Sequence, residues 1–357
     1  MKTLIVTGDA HKGMAHGISL LANALLEECD VAVLTPKGAI VDYLDPRVEV
    51  VISDQPTSMF SLKVLKFYQV VRLVKKVNPD VIHIQSAHPW PTLAMPFLRR
   101  YPIVVTIHDP EIDPGAKLRG VIQKSSDYLT RIADRIIVFG ENLKKMLGER
   151  SVDEAKIRVI PHGDYAFFCQ WQDDSIAREE AILFFGRIIG RKGLEYLLDA
   201  APQIFKRFPR LKIIIAGEGD MEAYKDKLSP AENFEVFNDY IPDEQVAELF
   251  QRSKLVVLPY TQASQSGIVH IAFAFGVPVV ATDLGSIPEV VRPGETGLLV
   301  PPRDAPAIAE AVIELLEDED KRQTMSVEAL RKMEQDCSWD DIARKTFDVY
   351  KEIMATV

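Results

Sequence analysis

Short apolar runs rich in β-branched residues alternate with longer amphipathic stretches along most of the chain. In the first half these runs predict seven strands, at residues 3–8, 30–36, 48–53, 80–85, 103–109, 135–140 and 157–163. Helical patterns such as 17–28 and 61–77 separate them. The alternation restarts at residue 181 and predicts strands at 181–187, 211–219, 234–241, 255–260 and 277–282. This order is typical of parallel sheets covered by helices on both faces.

The restart of the pattern predicts two doubly wound, Rossmann-like α/β domains. We place the N-terminal domain at 1–165 and the C-terminal domain at 181–335, joined by a linker at 166–180 where neither periodicity is clear. Residues 336–357 carry a helical apolar stripe that includes Ile342 and Tyr350, with Ser338 as a plausible N-cap. We expect this C-terminal helix to pack back toward the N-terminal domain.

Composition and charge limit the kinds of macromolecule that the protein can bind and the cellular compartment in which it is expected. The 357-residue chain has a formal net charge of −10, which disfavours broad nucleic-acid binding. The acidity is uneven: residues 1–165 hold 21 Lys and Arg against 19 Asp and Glu, whereas residues 166–357 hold 21 against 33. Three separated cysteines and an amino terminus that resembles a first strand predict a cytoplasmic protein.

Two stretches raise the question of a membrane. Residues 255–282 contain no charged side chain, but polar residues and two prolines interrupt them, so we interpret them as buried α/β core. The pattern at 62–77 combines Lys63, Lys66, Arg72, Lys75 and Lys76 with aromatic and aliphatic residues. It fits either peripheral contact with an anionic membrane or an ordinary sheet-covering helix with a basic solvent face.

Doubly wound sheets bind ligands at the carboxyl ends of their strands, so the loops there are the candidates for chemistry. Gly186–Gly193 follows a strand and opens a helix, which places Arg187 and Lys192 near a helix amino terminus suited to a diphosphate. A solvated basic turn is the plainer interpretation. In Ala263–His270, the backbone N–H groups of Ser266 and Gly267 offer a second set of donors to phosphate.

Three histidines lie near predicted strand ends. His108 follows the strand at 103–109 and is expected to point toward a cleft between the domains, although a single histidine there is more often structural. His83 is expected to be packed or at the edge of the cleft. His16 follows the first strand in a glycine-containing segment, where the backbone could approach a donor or an acceptor.

Together these segments resemble retaining glycosyltransferases of family four, which have the GT-B fold, and the resemblance covers nearly the whole chain. It rests on TIHD (106–109), ADRIIVFGENLKKML (133–147), ILFFGRIIGRKGLEYLLDA (182–200), FGVPVVATDLGSIPEVV (275–291) and SWDDIARKTFDVY (338–350), among others. The resemblance implies GT-B architecture, with the two domains facing across a cleft, and transfer from a nucleotide diphosphate sugar.

The resemblance also implies roles for individual residues. Arg187 and Lys192, with Gly186, match the motif for the donor phosphates, and His108 matches a histidine near the reacting sugar. Gly13 matches a glycine of the amino-terminal loop beside the donor and acceptor, and His16 is assigned to the acceptor side. Contacts to the nucleotide or sugar are expected from the remaining matched positions: Tyr240, Ile241, Gln265, Ser266, Gly267 and Glu289.

This chain departs from the family's pattern at a pair of glutamates with seven residues between them, which usually contact the donor sugar and the ribose. Ala263 and Ile271 occupy those positions here, and neither can make such contacts. Gln265 is the candidate replacement at the sugar, and Glu289 at the ribose or in local support. Lys12 also stands at the usual first glycine of the amino-terminal loop, and His16 lies one residue before the usual histidine.

The implied reaction is a retaining transfer to a glycan or lipid-linked acceptor, in bacterial or archaeal surface polysaccharide or glycolipid synthesis. No metal or other cofactor is expected, because no Asp-x-Asp follows a strand and the acidic run at 317–320 belongs to a late helix. Three alternatives stay open: an impaired relative that only binds nucleotide or glycan, a nucleotide-sugar epimerase, and a Rossmann dehydrogenase. The dehydrogenase lacks a Gly-x-Gly-x-x-Gly after the first strand.

Overall fold

The computed structural model describes residues 1–8, 12–36, 41–54, 66–85, 88–110 and 119–355; for Lys12, Gly13 and Trp90 it describes the backbone alone. The chain divides into two compact units. The first comprises Met1–Gly163 with Ser338–Val357, and the second comprises Asp164–Cys337. Each unit is an α/β domain built on one parallel sheet, as the alternation of strands and helices predicts.

The first unit has seven parallel strands in the order β3-β2-β1-β4-β5-β6-β7. The strands are β1 (Lys2–Val6), β2 (Asp30–Pro36), β3 (Glu49–Ser53), β4 (Val81–Ile84), β5 (Ile103–Thr106), β6 (Arg135–Val138) and β7 (Ile157–Val159). The helices between them are α1 (Lys12–Leu25), α2 (Phe67–Val77), α3 (Pro89–Ala94), α4 (Arg119–Ile132) and α5 (Glu141–Glu149). The strand order reverses between β1 and β4, which creates the type of edge where ligands bind.

The second unit has six parallel strands in the order β10-β9-β8-β11-β12-β13. They are β8 (Ala181–Phe185), β9 (Lys212–Ala216), β10 (Phe234–Phe237), β11 (Leu255–Leu258), β12 (Val279–Thr282) and β13 (Gly297–Val300). The helices are α6 (Leu194–Arg207), α7 (Asp243–Arg252), α8 (Gly267–Ala274), α9 (Ile287–Val290), α10 (Ala305–Glu317) and α11 (Glu319–Asp336). The order reverses between β8 and β11.

Alternating side chains of each strand enter cores on opposite faces of its sheet. In β8, Leu183 lies in one core, whereas its neighbours Ile182 and Phe184 lie in the other. Leu4 and Ile5 of β1 divide in the same way between the two cores of the first unit. Both faces of each sheet are covered, so the residues that point to either face are apolar. The strands therefore appear in the sequence as continuous apolar runs and not as alternating ones.

The chain returns to the first unit through α12 (Trp339–Met354), which packs on α1. Its buried face includes Ile342, Tyr350 and Ile353, which share a core with Ile18 of α1. Ser338 occupies the N-cap position, but within the described residues its side chain makes no capping hydrogen bond. The first turn is held by the Ile342 N–H, which donates to the Ser338 carbonyl at 3.0 Å.

Several segments differ in detail from the sequence interpretation. Residues 166–180 include a 3-10 helix, Ala166–Trp171, whose Phe168 is buried in a core of the second unit. The strand β13 was missed because its sequence, Gly-Leu-Leu-Val, begins with glycine and holds a single β-branched residue, a weak strand signal. The acidic run 317–320 spans the junction of α10 and α11, where the Asp318 carboxylate caps α11 by accepting from the Lys321 N–H.

Candidate active site

Three loops meet at the carboxyl edge of the second sheet, around the point where its strand order reverses. They follow β8, β11 and β12, which are neighbours in the order β8-β11-β12. The Thr261 N–H, after β11, donates to the carbonyl of Arg191 in the β8 loop at 2.9 Å. The Ser286 N–H, after β12, donates to the Ser264 carbonyl at 2.8 Å. The backbone thus ties the three loops into one surface.

The loop after β8 carries the predicted cations. Gly186 has a φ of +118°, a conformation that glycine adopts readily, and Arg187 follows it with an exposed side chain. A short 3-10 turn, Gly190–Lys192, then leads into α6. Gly193 has a φ of +68°, and a Cβ added there would lie 1.8 Å from the Pro259 carbonyl oxygen. The close approach of this loop to the end of β11 therefore requires glycine at position 193.

Lys192 is packed against an aromatic ring. Its Nζ lies 3.7 Å from the ring centroid of Tyr260, a cation–π contact. The Lys192 pKa is lowered to about 7, mainly by burial and in addition by the positive charges of Arg191 and Arg187. Near pH 7 this amine is therefore only partly protonated, because no negative charge among the described residues offsets these effects. A bound diphosphate would supply that charge.

Tyr260 lies in the loop after β11 and also contacts a later residue of that loop. Its ring is fully buried, and its hydroxyl lies 3.1 Å from the Ser266 Oγ. Burial raises the Tyr260 pKa to about 12, so the hydroxyl stays neutral at physiological pH. Sequence reasoning missed this residue. Its position just after a strand was the available signal, but its contact with Lys192 is not visible in the sequence.

Ser266 and Gly267 lie at the amino terminus of α8. Ser266 occupies the N-cap position with 7% of its surface exposed, and Gly267 is the first residue of the helix. Among the described residues, the Ser266 side chain does not cap the helix. Gln265 lies just before it, and its shielded Oε1 has no hydrogen-bond partner in the described part of the chain. This oxygen could accept a hydrogen bond from a sugar hydroxyl.

The loop after β12 supports the same surface. Gly285 has a φ of +58°, and an added Cβ would lie 2.3 Å from the Ala263 carbonyl oxygen. Glu289 is exposed on the short helix α9. Ile271 of α8 is 7% exposed and belongs to the hydrophobic core, so its side chain contributes packing. The position of the missing second glutamate is therefore filled by a core residue.

The remaining nucleotide candidates lie after β10 in the same unit. Tyr240 is 37% exposed, and its N–H is held at 2.7 Å by the Asp239 carboxylate. Ile241 is buried at 6% exposure. These two residues follow the edge strand of the same sheet, which β9 separates from β8, and no described contact joins them to Lys192.

At the carboxyl edge of the first sheet, ring side chains follow three adjacent strands. The ring of His108, after β5, lies 5.0 Å from that of Phe139, which follows β6. Phe139 in turn lies 4.9 Å from His162, after β7. His108 is half-buried and hydrogen-bonds the backbone of Gln85, after β4. Gln85, Phe139 and His162 were not singled out from the sequence.

The His108 imidazole is neutral. Its pKa is lowered to about 4, first by burial and then by the nearby His162, while the hydrogen bond to the Gln85 backbone opposes the shift. The His108 Nε2 is shielded and has no hydrogen-bond partner among the residues that the structure describes. A neutral ring with one nitrogen held by the backbone leaves the other available to a ligand hydroxyl.

His83 lies beneath this edge and is fully buried. Its Nδ1 is 2.6 Å from the Tyr350 hydroxyl of α12, and its Nε2 is 2.7 Å from the Thr106 hydroxyl. Burial, and secondly the charge of His108, lower its pKa to about 3. Of the two roles expected for His83, a packed residue and a residue at the edge of a cleft, the fully buried ring fits the packed one.

The amino-terminal candidates lie in α1. Gly13 is in the first turn of this helix, and His16 is 4% exposed with its ring 4.7 Å from that of Tyr43. The helix therefore begins at Lys12, five residues before the pattern at 17–28 suggested. An added Cβ on Gly8 would lie 2.2 Å from the His88 Cβ, so β1 and β4 are followed by closely packed loops.

Comparison with known proteins agrees with this architecture. Residues 11–163 match the family described as Glycosyltransferase Family 4, and residues 179–318 match Glycosyl transferases group 1. An uncharacterized glycosyltransferase of Methanocaldococcus jannaschii is 29% identical over 299 residues, covering 77% of this chain and 76% of that protein. Phosphatidyl-myo-inositol mannosyltransferase of Mycolicibacterium smegmatis is 29% identical, covering 80% and 74% respectively.

Two solved structures show the same fold at low sequence identity. Sucrose-phosphate synthase from Thermosynechococcus elongatus has a TM-score of 0.81 at 20% identity, with both chains fully covered. Anabaena HepE, solved in complex with UDP-glucose, has a TM-score of 0.79 at 19% identity, also with both chains fully covered. The chain thus matches a family 4 glycosyltransferase domain followed by a group 1 glycosyltransferase domain, and its fold is GT-B.

Proposed function

We propose that the chain is a retaining glycosyltransferase that moves a sugar from a nucleotide diphosphate sugar to a glycan or lipid-linked acceptor without a metal ion. The observation that carries this proposal is the arrangement of Arg187, Lys192 and the Ser266–Gly267 turn. These groups converge on one edge of the second sheet, and the half-buried Lys192 amine there has a pKa of about 7. A diphosphate supplies the missing negative charge.

The proposed chemistry is a transfer on one face of the sugar. The bond from the anomeric carbon to the phosphate oxygen breaks as the bond to the acceptor oxygen forms, and the acceptor proton moves to the leaving phosphate. Negative charge on the diphosphate grows during this step. Arg187, Lys192 and the N–H groups at the start of α8 would stabilise it.

Two other groups would contact the sugar itself. The Gln265 Oε1 and the His108 Nε2 are each shielded from water and lack a partner among the described residues. Each is suited to a sugar hydroxyl, because a hydrogen bond from the hydroxyl would satisfy an acceptor atom that water does not reach. In this proposal Gln265 replaces the family's first glutamate, and the neutral His108 orients the reacting sugar.

The nucleotide and its surroundings are assigned by analogy. HepE binds UDP and UDP-glucose, which supports a nucleotide sugar as the donor here. We propose that the backbone near Tyr240 and Ile241 meets the base, that Glu289 meets the ribose, and that Gly13 and His16 serve the donor and acceptor side. A cytoplasmic location and a role in surface polysaccharide or glycolipid synthesis complete the proposal.

The donor is tested by thermal shift with UDP, GDP, ADP and TDP sugars. A ligand at a hundredfold excess over its Kd stabilises the folded state by about 2.7 kcal/mol, so the correct base should stand out. In Arg187→Met and Lys192→Met the shift should fall, with affinity reduced roughly 10- to 100-fold. Lys206→Met, at the far end of α6, is the matched control and should bind normally.

Turnover is then measured with the donor that wins the screen. Retention is read from the anomeric configuration of the product by NMR, and metal independence from unchanged rates after chelation. Transfer that chelator abolishes and magnesium or manganese restores would overturn the metal-free proposal. Donor binding without turnover on a broad acceptor panel would favour the impaired, nucleotide-binding alternative raised by Ala263 and Ile271.

A further inference from the structure

A group of aromatic and aliphatic side chains is exposed on the first unit, where α2 lies against α3 and the 3-10 turn Met95–Phe97. We call it the aromatic cluster: the half-buried Phe67 and the exposed Tyr68 and Phe97, with Leu93 exposed on the adjoining helix α3. Tyr68 is 53% exposed, Phe97 48% and Leu93 43%. The ring of Phe67 lies 4.2 Å from that of Tyr68 and 5.6 Å from that of Phe97. The rings therefore support one another in one patch.

The core of the first unit does not account for the exposed part of these side chains. The inner face of α2 is already buried through Val70, Val71 and Val74, and Met95 and Leu98 are buried beside them in the same core. A monomeric protein seldom leaves large apolar groups together at its surface without a use for them. The aromatic cluster is therefore a candidate interaction surface.

Exposed cations flank the aromatic cluster, together with the Asp54 carboxylate, which accepts from the Gln69 Nε2 at 3.3 Å. Arg72, Lys75 and Lys76 are exposed on α2 at helical spacing from Tyr68, and Arg99 and Arg100 are exposed just after Phe97. Between Asp54 and Asp109 the sequence holds seven Lys and Arg and a single acidic residue, Asp80. The Asp80 carboxylate accepts from the backbone N–H of Lys2 at 2.7 Å. Lys63, which the sequence analysis included in this group, lies outside the described residues.

We propose that the aromatic cluster and the exposed cations beside it dock on an anionic lipid bilayer. Tyr68 and Phe97 would enter the headgroup region, where aromatic rings are favoured, while Arg72, Lys75 and Lys76 lie over lipid phosphates. The exposed cations beside the rings leave no flat, neutral platform for a polysaccharide. Sequence alone left this helix ambiguous, because it could not show that aromatic residues of separate segments meet.

No helix of the described chain is long and apolar enough to cross a bilayer. The proposed contact is with the membrane surface, and its strength should come from shallow apolar insertion combined with attraction between cations and lipid phosphates. Both contributions are needed in this proposal, so it predicts sensitivity to salt and to loss of the rings. It is independent of sugar transfer, so either proposal can fail without the other.

The test is sedimentation of the full chain with vesicles of phosphatidylcholine alone and of phosphatidylcholine with about one third phosphatidylglycerol. We expect sedimentation with the anionic vesicles only, and its loss at high salt. Tyr68→Ser/Phe97→Ser should weaken partitioning about tenfold, because the inserted apolar area is lost. Arg72→Glu/Lys76→Glu should weaken it by at least about tenfold.

Two matched controls sharpen the result. Val327→Ser/Leu330→Ser removes exposed apolar groups from α11, and Lys206→Glu/Arg210→Glu makes the same change in net charge on the second unit. Both should sediment like the unmodified chain, and circular dichroism should show that all four variants fold. Absence of sedimentation with anionic vesicles would overturn the proposal. So would equal loss in the control variants, or binding to a soluble acidic polysaccharide that competes with the vesicles.

Discussion

The Lys192 ammonium lies 3.7 Å from the centre of the Tyr260 ring, and the Tyr260 hydroxyl lies 3.1 Å from the Ser266 Oγ. One buried side chain thus contacts both proposed phosphate-binding loops. Tyr260 is a positioning residue in this arrangement, since it touches Lys192 and Ser266 and would act on the donor through them.

Substitution of Tyr260 should separate its two contacts. Tyr260→Phe keeps the ring under Lys192 and should weaken donor binding only a few-fold, whereas Tyr260→Leu should weaken it about tenfold. Ser266→Ala should add little to Tyr260→Phe, because both remove the same hydrogen bond. Isothermal titration with the donor measures each Kd. Phe250→Leu, another fully buried aromatic of that core, controls for lost packing and should retain donor affinity.

The Lys192 pKa of about 7 predicts that donor binding is coupled to protonation. A diphosphate favours the charged amine, so binding should take up protons between about pH 7 and 9, and affinity should fall by up to about tenfold per pH unit above 7. Calorimetry in buffers of different ionisation enthalpy measures the uptake. In Lys192→Arg the side chain stays charged, so proton uptake should disappear. Uptake that persists in this variant would assign the proton to another group.

Lys192 also affects stability in a defined direction. Its pKa is lowered in the folded state, so the unfolded chain binds more protons between about pH 7 and its ordinary pKa near 10.4. The free energy of unfolding should therefore gain from this residue as pH rises across that interval. Urea unfolding of the unmodified chain and of Lys192→Met, compared at pH 7 and 9, isolates the contribution.

Gly193 should be intolerant of substitution, whereas Gly190 should not. An alanine Cβ at 193 would meet the Pro259 carbonyl oxygen at 1.8 Å, and φ there is +68°, so Gly193→Ala should cost about 3 kcal/mol or more. A Cβ at 190 has no atom within 4 Å, and Gly190→Ala serves as the control. Urea unfolding compares the two. Equal, small effects would contradict the close packing of this loop on β11.

The lowered pKa values of His83 and His108 predict loss of stability in acid. His83 and His108 have pKa values of about 3 and 4 in the fold, below the usual value near 6.5, so the unfolded chain takes up protons first. Stability should fall from about pH 6.5 downward by up to ~1.4 kcal/mol per pH unit for each histidine. Urea midpoints across this range measure it. His83→Gln should be less stable at pH 7, yet less sensitive to acid; an unchanged pH slope would contradict this account.

Much of the fold follows from local pattern. Strand and helix periods are properties of a few consecutive residues, so the sequence predicted all seven strands of the first sheet and five of the six in the second. It also located Arg187, Lys192 and His108 after strands, because polar residues that end apolar runs are visible without a structure. The strand β13 escaped because Gly-Leu-Leu-Val, with its leading glycine and one β-branched residue, gives little local preference for a strand, and only its pairing with β12 makes it one.

Contacts between distant residues depend on tertiary structure. Tyr260 lies 68 positions from Lys192 in the sequence, and only the pairing of β8 with β11 brings the two loops together. The same holds for His83 with Tyr350, and for the exposed rings of Tyr68 and Phe97. Desolvation, pKa shifts and close approach at glycine all arise from such contacts. Residue types and strand ends can therefore be read from the sequence. Packing decides which side chains are buried, which are charged, and which are exposed side by side.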